Sequence, residues 1–222
     1  MVAFSPAVET AEADPDFASV SLLLHMDGIN GSTTFTDSST ALRTVTANGN
    51  AQISTAQNKF GGASCLLDGT GDYLLVAADG SAIGTGDFTV ECWIRTVSSL
   101  GYRAIVTLVP GSDNNALYVV SNTIVWYDAT NRCQSVNFSD NTWHHVAATR
   151  SSGTVRVFLN GTVSASTYSS TANIADNTIR VGANGATTGE WFHGHIDDLR
   201  ITRGVARYTA NFTPPTAPFP DA

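Results

Sequence analysis

Charge is scarce in this sequence, and basic charge is scarcest. Of 222 residues only 14% are Asp, Glu, Lys or Arg, and Lys59 is the single lysine. Eleven basic residues against 19 acidic ones leave a formal net charge of −8, the wrong sign for a phosphate backbone, so nucleic acid is not an expected partner. Glutamate is confined to Glu9, Glu12, Glu91 and Glu190, which leaves the chain short of good helix formers. No apolar run approaches the roughly 18 residues of a membrane helix. Residues 1–20 lack the basic start and apolar stretch of a signal peptide, so neither a membrane span nor a leader is expected. Cys65, Cys92 and Cys133 form no CxxC pair and have no histidine at zinc-finger spacing. They are expected to be reduced, buried and inert.

What is present is β-structure. A background of Ser, Thr, Asn, Gly and β-branched residues carries short apolar or alternating runs, among them Ser21–Met26, Tyr73–Val76, Phe88–Arg95, Thr123–Tyr127, Trp143–Arg150, Thr154–Asn160 and His195–Thr202. Phe88, Val90, Cys92 and Ile94 share one face of their run, opposite Thr89, Glu91, Trp93 and Arg95. One-sided burial of this kind predicts antiparallel sheets packed face to face. Asn160-Gly161, Ser121-Asn122 and Ser151–Gly153 mark tight turns. Residues 1–19 read as an extended acidic arm, 20–212 as one domain, and 213–222 as a proline-rich tail, with the chain leaving the sheet after Asn211. Trp93 and Trp143 are expected in the core.

Six segments then follow in a telling order: Leu67-Asp68-Gly69 with Gly71-Asp72-Tyr73-Leu74, Phe88–Ile94, Trp143–Ala147, Phe158–Gly161, Ile179–Gly182 and Phe192–Ile201. Together they resemble the laminin-G-like, concanavalin A-like lectin family over Val20–Phe219. The resemblance implies an all-β jelly-roll sandwich of two curved antiparallel sheets. The opening Leu22–Gly28 and the closing Arg203–Pro220 resemble the version of this domain found in bacteriophage structural proteins. That implies a virion component on a capsid or tail surface, held by its terminal segments to other virion proteins and forming a homo-oligomer.

Glucanases of this fold place two carboxylates on one strand. No Glu-x-Asp-x-Glu series occurs here, and Asp197-Asp198, as strand neighbours, point to opposite faces, so no catalysis is expected. Asp197 shares a face with Leu199 and Ile201 and needs compensation, from a cation or from backbone N–H groups. The family resemblance brings Asp27 close to it, which makes Asp27 and Asp197 the candidate ligands of a structural calcium ion. The alternative is a turn at Asp27-Gly28 and an arginine, Arg200 or Arg203, paired with Asp197. Asp72 and the Asp113-Asn114-Asn115 cluster are loop carboxylates of the kind that bind calcium in laminin-G relatives, and equally ordinary turn formers. For a glycan, stacking rings and planar amides are required. Tyr102, Trp126, Tyr127 and Trp191 are the candidate rings, with Asn114 as the leading amide and Asn115 and Asn184 beside it. The expected function is non-catalytic display of a lectin-like domain on a virion surface, with host-surface glycans as candidate ligands. The alternatives are a free or cell-surface carbohydrate-binding module, hence extracellular, and a degenerate glycan hydrolase.

Overall fold

The computed structural model describes residues 13–111, 114–175, 178–185 and 189–222. Residues 1–12 of the acidic arm and Asp113 of the loop cluster lie outside them. Among the described residues, one 3-10 turn, Phe17–Ser19, precedes sixteen strands. In chain order these are β1 (Val20–Leu24), β2 (Val45–Asn48), β3 (Gln52–Ser54), β4 (Ser64–Asp68), β5 (Tyr73–Val76), β6 (Phe88–Thr96), β7 (Tyr102–Thr107) and β8 (Ala116–Val120). Then come β9 (Thr123–Tyr127), β10 (Asn131–Gln134), β11 (His144–Ser151), β12 (Thr154–Leu159), β13 (Thr162–Val163), β14 (Tyr168–Ser169), β15 (Ile179–Val181) and β16 (His193–Arg203). No helix among the described residues is long and apolar enough to cross a membrane.

The strands form two antiparallel sheets, as the alternation predicts. Sheet A has nine strands in the order β13-β12-β11-β6-β16-β4-β3, with β1 also on β16 and β14 also on β12. Sheet B has seven, in the order β10-β9-β8-β7-β15-β5-β2. Their facing sides bury Leu22, Leu24, Leu67, Val76, Phe88, Val90, Ile94, Leu117, Trp126, Val157, Ile196 and Ile201 in one core cluster, each such side chain contributing roughly 1.5–3 kcal/mol. Asn160 and Gly161 both have positive φ, 49° and 76°, which is what a two-residue hairpin matched to strand twist requires. All three cysteines are buried and free, and burial pushes the Cys133 thiol up to about 12.

Strand β16 is the spine of sheet A. It pairs with β6 along one edge, while β4 (His193–Ile196) and then β1 (Leu199–Thr202) share the other. At the seam a bulge shifts the register between Asp197 and Arg200, and Asp198 takes φ 47°. The extra residue resets the alternation. Ile196, Leu199 and Ile201 therefore face the core while Asp197 lies on the opposite side, so the expectation that Asp197 shares a face with Leu199 and Ile201 is corrected. Trp93 is buried, as expected. It lies on the outer face of sheet A, where Lys59 Nζ sits 3.9 Å from its ring centroid, whereas Trp143 is corrected, being half-buried rather than core. The ladder ends at Arg203, earlier than Asn211, and the chain beyond runs back over sheet A.

Both described ends lie on that outer face. Asp14 N donates to Ala222 O at 2.7 Å, and Phe219 packs with Phe17, Val20 and Leu23 in a small second cluster. Tyr208 and Phe212 stack with centroids 3.5 Å apart over Phe158 and His145.

Candidate functional site

The outer face of sheet B is built by simple alternation. On β8, Leu117 and Val119 enter the core, which turns Ala116, Tyr118 and Val120 outward. On β9 the inward residues are Ile124 and Trp126, leaving Tyr127 outward; on β7, Tyr102 and Ala104 join the same side. Tyr118 sits at the centre, its ring centroid 6.2 Å from that of Tyr102 and 5.3 Å from that of Tyr127, with Tyr102 and Tyr127 5.8 Å apart. The edge-on and tilted contacts are those aromatic quadrupoles favour. Tyr118 is buried, whereas Tyr102 is 41% exposed.

The connection from β15 to β16 runs beside β7 and supplies polar groups. Ala104 N donates to Glu190 O at 3.0 Å and Thr107 Oγ1 to Ala183 O at 3.2 Å. Glu190 Oε2 then accepts from Tyr118 OH at 2.8 Å and from the buried Asn184 Nδ2 at 3.2 Å. Arg180 Nη1 donates to Asn184 O at 2.7 Å. A fixed carboxylate thus stands beside ring surface, held by two donors. Such a face can stack on the apolar side of a ring and accept its hydroxyl protons.

A laminin G family model, described as the concanavalin A-like lectin/glucanases superfamily, matches residues 68–206. The chain belongs to this superfamily. Similar solved structures include a crystal structure of the botulinum neurotoxin serotype D binding domain, with TM-score 0.62 and 17% identity over 86% of this chain and 49% of that one. The binding domain of botulinum neurotoxin DC in complex with SialylT gives 0.59 and 18% over 92% and 49%. The same domain in complex with rat synaptotagmin II gives 0.58 and 18% over 93% and 50%. At these identities the likeness is one of fold, and the chain spans about half the length of these structures. No curated protein matches it.

Of the rings proposed for this lectin-like domain, Tyr102 and Tyr127 meet on one face. Trp126 does not. It is buried at 1% exposure against Phe88, with centroids 5.3 Å apart, because adjacent strand residues cannot both face outward. Trp191 is half-buried next to Glu190, its carbonyl accepting from Arg103 Nη1 at 3.4 Å. Asn114 is half-buried at the β7–β8 loop, near the end of the sheet where Tyr127 pairs with Ala116. Tyr118 and Glu190 were not proposed. The first was legible from the alternation of β8, while Glu190 comes to the site through a loop that carries no periodic signal. Asp72 is a turn residue here, its carboxylate accepting from Asn50 N and Asp68 N.

The proposed metal pair also comes to one place. Asp197 Oδ2 accepts from Lys59 N at 2.7 Å and Phe60 N at 3.1 Å, and Asp27 accepts from Ala63 N in the same turn. Backbone N–H groups thus compensate Asp197. Neither arginine does so, since Arg200 pairs with Glu91 and Asp14, and Arg203 with Asp79. Burial, reinforced by Asp198 and Asp27, still pushes Asp197 up to about 7, and its Oδ1 has no hydrogen-bond partner among the described residues. Among those residues no group of three or more His, Cys, Asp or Glu is arranged to hold a metal. Next to them, His25 Nδ1 lies 2.8 Å from Asp198 Oδ1 and Nε2 2.9 Å from Asp221 Oδ1. The Asp198 bond leads in raising this histidine to about 9.

Two further constellations test for catalysis. Ser64 Oγ lies 2.8 Å from His195 Nδ1, but it donates its own proton to Gln57 O at 2.7 Å. A hydroxyl committed to a carbonyl is not one activated by a base. Glu91 is fully buried, with Arg200 Nε and Nη2 on Oε1 and Tyr208 OH on Oε2. Burial would raise it, but Arg200 and the adjacent His145 outweigh burial and hold it down at about 2, a structural carboxylate rather than an acid near neutrality.

Proposed function

We propose that this domain is a non-catalytic glycan-binding module whose platform is the tyrosine face of sheet B. The observation that carries the reading is the Tyr102–Tyr118–Tyr127 cluster with Glu190 fixed at its margin. Exposed ring surface supplies stacking, and the carboxylate supplies an acceptor for a pair of sugar hydroxyls. The SialylT complex of a structural neighbour supports it by analogy of fold. The commitment of Ser64 and Glu91 to structural bonds supports the absence of catalysis.

The setting we propose is a bacteriophage particle surface, after the resemblance of Leu22–Gly28 and Arg203–Pro220. One arrangement favours it. The described terminal segments converge on the outer side of sheet A, opposite the tyrosine face, so attachment at one side would present the platform on the other. Virion partners and a homo-oligomer belong to this reading, and a free extracellular module is its alternative.

The test is a glycan array with the full chain, followed by calorimetry on any hit. Tyr102→Ala and Glu190→Gln should each weaken binding about tenfold, equivalent to about 1.4 kcal/mol. Retention of no glycan, or wild-type affinity in both variants, would refute the platform. Light scattering tests the setting, since a monomer at every concentration would favour the free module.

A further inference from the structure

A second concave site lies at the edge of the sandwich, away from the tyrosine face. It is a cleft of about 430 Å³ between the β10–β11 connection and the β12–β13 hairpin, within the size range of small-ligand sites. The buried Phe138, His144 and Leu159 form its floor. Asn137, Asn160 and Thr162 contribute the polar wall, and Val136 stands at its lip, 69% exposed.

The cleft is held in shape by bonds to its own framework. Phe138 N donates to Asn122 O at 2.9 Å, Asn122 Nδ2 returns a bond to Phe138 O at 3.2 Å, and Asn141 N donates to Thr96 O at 2.7 Å. The His144 ring is fixed at both nitrogens. Nε2 is 3.1 Å from Ser139 O, which can only accept, so the proton is on Nε2. Nδ1 is 2.9 Å from Asn160 Nδ2, which can only donate. The amide orientation is set in turn by Asn160 Oδ1, which accepts from His145 N at 3.0 Å. Among the described residues, no Asp, Glu, Lys or Arg lines the cleft.

An anion would find no countercharge here and would lose hydration without return. A ligand with vicinal hydroxyls on an apolar ring would find amide donors and acceptors over an aromatic floor. We propose that this cleft is a saccharide site selective for uncharged sugars, distinct from the tyrosine platform. An apolar peptide is the competing occupant, which the amide-rich wall disfavours.

The experiment is an NMR titration of the full chain with methyl β-galactoside, methyl α-glucoside and chitobiose, and with sialyllactose and glucuronic acid as charged counterparts. Uncharged sugars should shift the Val136 methyls and the signals of Phe138, His144, Leu159 and Thr162, with charged sugars at least tenfold weaker at the same signals. Asn137→Ala and Val136→Asp should each abolish these shifts while keeping the wild-type melting temperature. Thr162→Ala serves as a further variant should either fail to fold. Tyr102→Ala should leave them intact, so failure of the tyrosine platform and failure of the cleft read out separately. No shift with any sugar, equal response to charged sugars, unaltered shifts in the variants, or a response only to an acetyl-leucyl-leucine amide probe would overturn the proposal.

Discussion

Removing the Asp14 carboxylate should unfasten both termini at once. Asp14 Oδ2 takes Arg200 Nη1 and Arg207 Nη2, each at 2.8 Å, and Oδ1 takes Arg207 Nη1 at 2.9 Å. The side chains are 2%, 6% and 9% exposed for Asp14, Arg200 and Arg207, so water cannot replace what is lost. Breaking a buried pair by deleting one partner costs roughly 3–5 kcal/mol. Arg200 keeps Glu91 and Arg207 Nε keeps Thr202 Oγ1, which places Asp14→Ala at the low end, about 3 kcal/mol. For a chain of this length that is a fall in Tm of about 6–12 °C. Scanning calorimetry at pH 7 measures it, with Asp16→Ala as a control expected within about 0.5 kcal/mol of wild type. A double-mutant cycle with Arg207→Ala should return a coupling of about 1–3 kcal/mol. The arginines hold Asp14 below the ordinary carboxylate range against its burial. Its stabilisation is therefore present above pH 4 and lost as pH falls through the depressed value, so the gap between variant and wild type should close in acid. A melting temperature within 1 °C of wild type at pH 7 would refute the clasp.

The other predictions concern the seam beneath β4 and β1. Asp197, raised to about 7 by burial, gives stability that is present below pH 4 and lost as pH rises through 7. His195, lowered to about 4 by burial and Arg95, gives stability that is present above pH 6.5 and lost as pH falls through 4. The two oppose each other between pH 4 and 6.5. Asp197→Asn should therefore turn a flat Tm profile in that window into one that falls on acidification, and a profile unchanged by the substitution would contradict the raised carboxyl. Calcium is the second case. Because N–H donors already occupy Asp197 Oδ2 and face Asp27, millimolar calcium or chelator should leave the melting temperature unchanged, whereas a rise in calcium that is abolished in Asp197→Asn would establish the cation.

The sandwich was legible because its signal is periodic. Runs such as Tyr73–Val76 and Thr123–Tyr127 are short, apolar and rich in β-branched or aromatic residues, enough to give their own boundaries, and the turn residues between such runs take positive φ. The strands that went unread, β2, β3 and β10, are short and mostly polar, with sequences VTAN, QIS and NRCQ, and they exist because a neighbouring ladder needs an edge. Alternation also misled where it is interrupted. A single bulge at Asp198 moved Asp197 to the other face, and the sequence carries no mark of it. The candidate platform shows the same division. Tyr102 and Tyr127 could be named from ring type and nearness to turns, but choosing Tyr127 over Trp126 required the register of β9, and Glu190 required the path of a loop.

The distribution of buried polar groups between the two outer faces completes the argument. On sheet A, Glu91, Arg200, Arg207, Tyr208 and Asp14 satisfy one another beneath the terminal segments. Each such group is costly to bury alone and inert once paired. That face is closed by its own chain, and a ligand there would have to displace Tyr208, Phe212 and Phe219 together. On sheet B the polar groups converge instead on a half-buried carboxylate bonded to Tyr118, whose ring in turn meets the exposed Tyr102. On the proposed reading, sealing one face with the terminal segments and leaving ring and carboxylate on the other divides attachment from recognition. The proposed platform should therefore tolerate changes at Asp14 that loosen the tail, with glycan affinity unaltered at temperatures where the sandwich stays folded; loss of affinity in Asp14→Ala below its melting range would show that the two faces are coupled.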